Sequence, residues 1–266
     1  MLNDISSESV AGSGPVLEAM ATLPAFREAR RWVLRQLEID PDASSLIEAG
    51  CGNGAALPDV MSLMGATGRF VGVDPTTAFI DVARARAAQL GASYAEFKVG
   101  DVRAMPCAAG EFDAAFCDNV LIHAGPAKAA LDEMARVTRP GGHIGAVEWL
   151  PFFLVSSTRP SAAEAFNAIF KTAVHDYFVS GNLKRLFHET GLKRVRTQTF
   201  LAHTDSLDAH PWWRAFIVHQ MPVFTRIGLI DEATARAFLA DLEALNARHE
   251  FSASFIVTAA VGTNPS

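Results

Sequence analysis

The chain has 266 residues, half of them hydrophobic and a fifth charged, with a formal net charge of −6. This composition predicts a folded globular core, and an acidic balance without a basic run argues against nucleic acid as the main partner. The three cysteines, at 51, 107 and 117, make neither a disulfide framework nor a zinc or iron–sulfur spacing, so no metal is expected and a reducing cytoplasm fits. No run of about 18 apolar residues predicts a membrane span, and the polar start lacks the features of a signal peptide.

Residues 1–14 read as unstructured, closing on Gly12, Ser13 and Gly14. Residues 15–38 read as helix with Val16, Leu17, Met20, Leu23, Trp32, Val33 and Leu37 on its apolar side, divided at Pro24. Strands and helices then alternate. Strands are expected at 45–50, 69–74, 94–101, 112–118 and 143–150, and helices at 55–65, 77–91 and 126–142, the last ended by Pro140 and two glycines. Such alternation implies a parallel sheet covered on both faces. Beyond Pro151 the pattern changes. Helices are expected at 161–178 and 182–191, a sixth strand at 193–203, mostly helix over 206–249, and a seventh strand at 251–261.

The first strand runs into Gly50, Gly52 and Gly54, with Glu48 two residues before the first. Three close glycines let the backbone turn tightly and approach a ligand with no Cβ in the way. In open α/β sheets, ligands bind at the carboxyl ends of the strands near this point. Gly50, Gly52 and Ala55 also satisfy the nicotinamide pattern, and Asp74 lies where a ribose-binding acid belongs in either fold. The loop and Asp74 therefore leave two cofactor classes open.

What surrounds the loop separates them. "IEAGCGNG" (47–54), "FVGVDPT" (70–76), "KVGDVRAMPCAAGEFDAAFCDNVLIH" (98–123) and "RVTRPGGHI" (136–144) occur in one order. Together they resemble the class I S-adenosylmethionine-dependent methyltransferases, particularly the small-molecule branch that includes the ubiquinone and menaquinone enzymes. The resemblance covers roughly residues 45–150. It implies an α/β, Rossmann-like, doubly wound, mostly parallel seven-stranded sheet with a helical insertion between the last two strands. One domain is expected: an N-terminal helical lid (1–38), a cofactor core (39–150) and a substrate side (151–266) whose insertion spans 206–249. The resemblance also assigns roles. Glu48, Gly50, Gly52 and Gly54 would pass beneath the amino-acid part of S-adenosylmethionine. Asp74 would accept from both ribose hydroxyls, Asp101 from the adenine amino group, and the Val102 N–H would meet a ring nitrogen. Cys117 and Asp118 would line the methionine end.

Methyl transfer from a sulfonium is an in-line displacement that needs alignment and, for some acceptors, removal of a proton. His123 and Glu148 are the candidates for that chemistry. Trp149, His175, Tyr177 and Trp213 are the candidates for the acceptor pocket, with His175, Asp176 and Tyr177 placed on a helix. An aromatic insertion predicts a small, largely apolar or aromatic substrate, since pockets are mostly apolar with a few polar handles. Two other readings stand: a protein that binds the cofactor without transferring methyl, and a nicotinamide-dependent oxidoreductase, which lacks a Tyr-x-x-x-Lys pair and leaves Asp101 without a task. The oligomeric state, a homodimer included, is beyond the sequence.

Overall fold

The computed structural model describes residues 7–65 and 67–265. Its centre is a seven-stranded sheet of order β3-β2-β1-β4-β5-β7-β6. The strands are β1 Ser45–Ala49, β2 Arg69–Asp74, β3 Ala95–Val99, β4 Phe112–Asp118, β5 Thr138–Val155, β6 Lys193–Thr204 and β7 Ala253–Thr263. Pairing is parallel from β3 through β5, and β7 runs antiparallel to both β5 and β6. Strand order reverses between β1 and β4, so a crevice opens at their carboxyl ends.

Helices cover both faces. Gly145 of β5 faces α2 (Pro24–Gln36), where a Cβ would come within 2.2 Å of Val33. Gly145 pairs with Val261, and the next residue, Gly262, points the opposite way, toward Phe187 of α7 (Val179–Glu189). The remaining core helices are α1 (Ser7–Thr22), α3 (Leu57–Met61), α4 (Thr77–Leu90), α5 (Ala127–Val137) and α6 (Pro160–Ala173). α4 stops where expected, at Gly91 in the left-handed conformation.

Several boundaries differ from the sequence expectation. Helix begins at Ser7 rather than residue 15, and residues 1–6 lie outside the described residues. The break before Pro24 is present. The helix expected over 55–65 contracts to α3, because the glycine loop continues as turns through Ala56. α5 ends at Val137, and Thr138 is already extended, its hydroxyl capping the Met134 carbonyl. β5 therefore starts five residues early and runs past Pro151 to Val155, paired with β7 from His143 to Leu150 and again, after a register shift, at Leu154 and Val155. α6 ends at Ala173, so His175, Asp176 and Tyr177 are not helical. The chain is drawn off instead by the His175 and Asp176 N–H groups donating to the Ile122 carbonyl.

Between β6 and β7 the chain folds α8 (Pro211–Trp213), a wider π-type turn (Arg214–His219), α9 (Met221–Arg226) and α10 (Glu232–Ala247). Asp231 caps α10 by accepting from the Thr234 N–H. Asp241 of α10 accepts from Ser157 and Thr158, tying the insertion to the segment after β5. Among the described residues no helix is long and apolar enough to cross a membrane.

Candidate functional site

The glycine loop leaves β1 with all three glycines in the left-handed region, φ 76° at Gly50, 50° at Gly52 and 72° at Gly54, which other residues enter only at a cost. Their surroundings differ. A Cβ on Gly50 would lie 2.3 Å from Val120 Cγ2, whereas one on Gly52 would meet only Leu17, at 4.0 Å. Gly50 thus brings the loop against the segment after β4, and Gly52 faces open space. Gly50→Ala should cost about 2–5 kcal/mol, from left-handed strain and overpacking together. Gly52→Ala should cost only the strain, about 1–2 kcal/mol. Urea unfolding of the two variants checks this, and equal losses would mean that Val120 yields freely.

The loop is anchored to β2. The Gly50 and Cys51 N–H groups donate to the Val73 carbonyl. The Gly52 N–H donates to Asp74 Oδ2 at 3.0 Å, and the Thr76 N–H to Asp74 Oδ1 at 2.8 Å. Burial pushes the Asp74 carboxyl up, partly offset by these donors. Each oxygen keeps acceptor capacity beyond its backbone bond.

One cavity lies over the loop, walled by Leu17, Met20 and Ala21 of α1, Phe26 and Arg30 of α2, Glu48, Gly50 to Asn53, and Asp118. Arg30 is buried and donates three ways: to Asp59 Oδ2 at 3.0 Å, Asp118 Oδ2 at 2.7 Å and the Ala21 carbonyl. Burial opposes its charge, but Asp118 and Asp59 more than restore it. Burial likewise pushes Asp59 up, and Arg30 and Arg31 bring it below its ordinary range. Glu48 and Asp118 are both raised, chiefly by burial. Among the described residues, four buried side-chain polar atoms lack a partner, and two of them, Glu48 Oε2 and Asp118 Oδ1, belong to the cavity wall, with a third, Asn119 Oδ1, on the next residue. Buried acceptors without donors are costly, and gathered on one cavity they suit a cationic, donor-rich ligand.

α1 is fastened across this cavity from outside. Glu18 accepts from Asn53 Nδ2 at 2.7 Å and pairs with Arg86 of α4, while Arg86 Nε donates to the Asn53 carbonyl. Asp59, Asn53, Glu18 and Arg86 were not marked by the sequence reading; the Arg27, Arg30, Arg31 run that converges on Asp59 was the available signal.

The other expected residues fall into distinct settings. Asp101 is half-buried and gripped by the exposed Arg103, whose Nε and Nη2 donate to both of its oxygens. This pairing pulls its carboxyl below the ordinary range. Arg103 also reaches the Gly125 carbonyl. Val102 follows, buried. Cys117 does not present its side chain to the cleft: it is fully buried in the β4–β5 ladder opposite Ala146, and burial pushes its thiol far up.

Glu148 does not face an acceptor. It is fully buried, and its carboxylate accepts from the Val120, Leu121 and Ile122 N–H groups at 2.9, 2.6 and 3.3 Å. It clamps the segment that carries His123. Burial raises it to about 8, against those donors. Trp149 and Trp213 are core as well. Trp149 meets Phe26, Phe153, Phe170, Trp212, Phe216 and Phe255 at centroid distances of 5.3–6.3 Å, and Trp213 packs on Trp212 and Phe255. Through Phe26 this aromatic cluster reaches the cavity wall.

His123 keeps an exposed surface, yet crowding by the surrounding chain, and then His175, pushes its pKa down to about 4. At neutral pH it is uncharged, able to accept a proton or a hydrogen bond. His175 is brought beside Gly125, where a Cβ would lie 2.9 Å from its ring. Tyr177 is half-buried next to Phe178. Among the described residues, no group of three or more His, Cys, Asp or Glu could hold a metal ion.

Residues 41–191 match the methyltransferase domain family. The demethylmenaquinone methyltransferase of Lactococcus lactis is 24% identical over 176 residues, 65% of each chain. The chain spans less than two thirds of the length of the curated relatives it matches. Among solved structures, the YcgJ protein of a Bacillus superposes with a TM-score of 0.61 at 16% identity, over 90% of this chain and 99% of that one. The phosphoethanolamine N-methyltransferase 2 of Haemonchus contortus, in complex with S-adenosyl-L-methionine, superposes with a TM-score of 0.61 at 11% identity, over all of this chain and 59% of that one.

Proposed function

This chain belongs to the methyltransferase domain family, the class I S-adenosylmethionine-dependent enzymes, and on that premise we propose that it methylates O, N or C of a small, largely apolar or aromatic molecule. The observation that carries the acceptor class is the aromatic cluster of Trp149, Phe153, Phe170, Trp212 and Phe216, which joins the insertion to the cavity wall at Phe26. The demethylmenaquinone methyltransferase among the relatives supports the same reading. The aromatic side chains shape and dry the site rather than touch its reacting atoms.

The cofactor, when bound, supplies an activated methyl group on a cationic sulfur. The chain's own residues hold and orient it. The unpartnered oxygens of Glu48 and Asp118 suit its ammonium group, and the two Asp74 oxygens suit its vicinal ribose hydroxyls. Asp101 serves an adenine amino group only by sharing a carboxylate that Arg103 already holds. α1, fastened by Glu18, is the lid. His123 is the group through which an acceptor hydroxyl loses its proton, and Glu148 positions it.

Calorimetry with S-adenosylhomocysteine, with NADH as control, tests the cofactor assignment. Asp74→Ala removes two hydrogen bonds to a charged acceptor, each worth about 1.5–3 kcal/mol, so its affinity should fall about a hundredfold or more. Unchanged affinity would take the ribose role from Asp74. Labelled methyl transfer to a panel of aromatic and hydrophilic acceptors then tests the acceptor class, and transfer to the hydrophilic set alone would overturn it.

A further inference from the structure

The floor of the cavity holds more acid than base. Glu48 (β1) and Asp118 (β4) line it together with the buried guanidinium of Arg30 (α2), which Asp118 and Asp59 (α3) share, and Asp74 (β2) acts on Glu48 from the neighbouring strand. Cys51 on the loop and Cys117 on β4 are the other titratable neighbours of Glu48, and both thiols are pushed far up by burial and by the acids around them. α1 closes the space with Leu17, Met20 and Ala21, none of them charged. Arg30 gives its hydrogen bonds to Asp59, Asp118 and the Ala21 carbonyl and none to Glu48. Glu48 is thus the acid in this group that is almost wholly buried and has Oε2 without a donor.

An isolated buried carboxylate is expensive, and such a group takes up a proton instead. Asp118 and Asp74 beside Glu48 act in the same direction, and Arg30 only partly opposes them. We propose that Glu48 is protonated in the cofactor-free cleft and that entry of the cofactor's ammonium group expels this proton to solvent. The inference deepens the cofactor reading above and rests on it. Binding then lowers the proton affinity of Glu48. Cofactor affinity accordingly rises with pH wherever free Glu48 is protonated and bound Glu48 is not, by at most tenfold per pH unit for one proton. It levels off once Glu48 ionises in the free protein. Glu48 becomes a specificity element for cationic amino-acid ligands, because an uncharged ligand cannot displace the proton.

The probe is S-adenosylhomocysteine titrated into the full chain by calorimetry. Pairs of buffers with different ionisation enthalpies count the protons released. The range is about pH 5.5–7, below the α-amino range of about 7.7–8.0, so the ligand stays an ammonium ion. Wild type should release close to one proton, with affinity rising across the range. Glu48→Gln should still bind through its amide oxygen, release none and lose the pH slope, while Asp118→Asn keeps the release. A second readout needs no variant: the infrared carbonyl band of a protonated carboxyl should disappear when ligand is added to wild type. Binding by wild type without proton release, or equal release by Glu48→Gln, overturns the inference and leaves the cofactor reading intact. No binding by wild type overturns both.

Discussion

Replacing Arg30 by methionine lowers the stability of the protein by about 3–5 kcal/mol. The side chain is 3% exposed and serves two carboxylates that are themselves 6% and 10% exposed. Removing it strands acids that have already lost their water. Asp59 retains Arg31 at 2.8 Å and Arg27 at 3.5 Å, so the larger share falls on Asp118, whose Oδ1 has no partner even now. Lysine at this position keeps the charge but not the planar fork that reaches Asp59, Asp118 and the Ala21 carbonyl together, and should recover only part of the loss. The double variant Arg30→Met with Asp118→Asn should be more stable than Arg30→Met alone, because removing both partners of a buried pair costs less than removing one. Urea unfolding of the four proteins at neutral pH measures this. A single-variant loss below about 1 kcal/mol, the scale of an exposed pair, would mean that the cleft is wetter than its geometry implies.

The glycine loop could be read from sequence because its signal is local: each glycine stands where the backbone turns left-handed. The strand–helix alternation was legible for the same reason. Glu148 was not, because its partners, Val120 to Ile122, are brought to it only by the parallel pairing of β4 with β5. Glu148 and Trp149 are neighbours on one strand and point to opposite faces, so both could not line one pocket. Asp101 carried its own warning in Arg103, two residues on and able to reach back. Trp213 gave none: a buried aromatic beside a pocket and one within the core have the same sequence, and only the packing with Trp212 and Phe255 separates them. Residues 161–178 are helically patterned throughout, yet the Ile122 carbonyl captures the His175 N–H, a tertiary contact that outweighs local propensity.

Glu148→Ala should cost about 3–5 kcal/mol and loosen the segment that bears His123. It leaves three backbone N–H groups without an acceptor at a fully buried position, each worth about 1–3 kcal/mol, less whatever water enters the vacated space. Glu148→Gln separates shape from charge. Its amide oxygen can replace Oε1, which takes the two short bonds, and its amino group then meets only the Ile122 N–H, at 3.3 Å the weakest of the three. The loss should therefore be about 1–2 kcal/mol. The pH dependence tells which state Glu148 occupies. Its carboxyl is raised to about 8 in the fold, against about 4.3 for an unperturbed glutamate. The folded state thus holds the extra proton between these values, and wild type loses stability as pH rises through that window. The glutamine variant has no such proton. Its deficit against wild type should be largest near pH 5 and narrow toward pH 8. A deficit that widens with pH would mean that the three N–H donors outweigh burial and keep Glu148 ionised throughout.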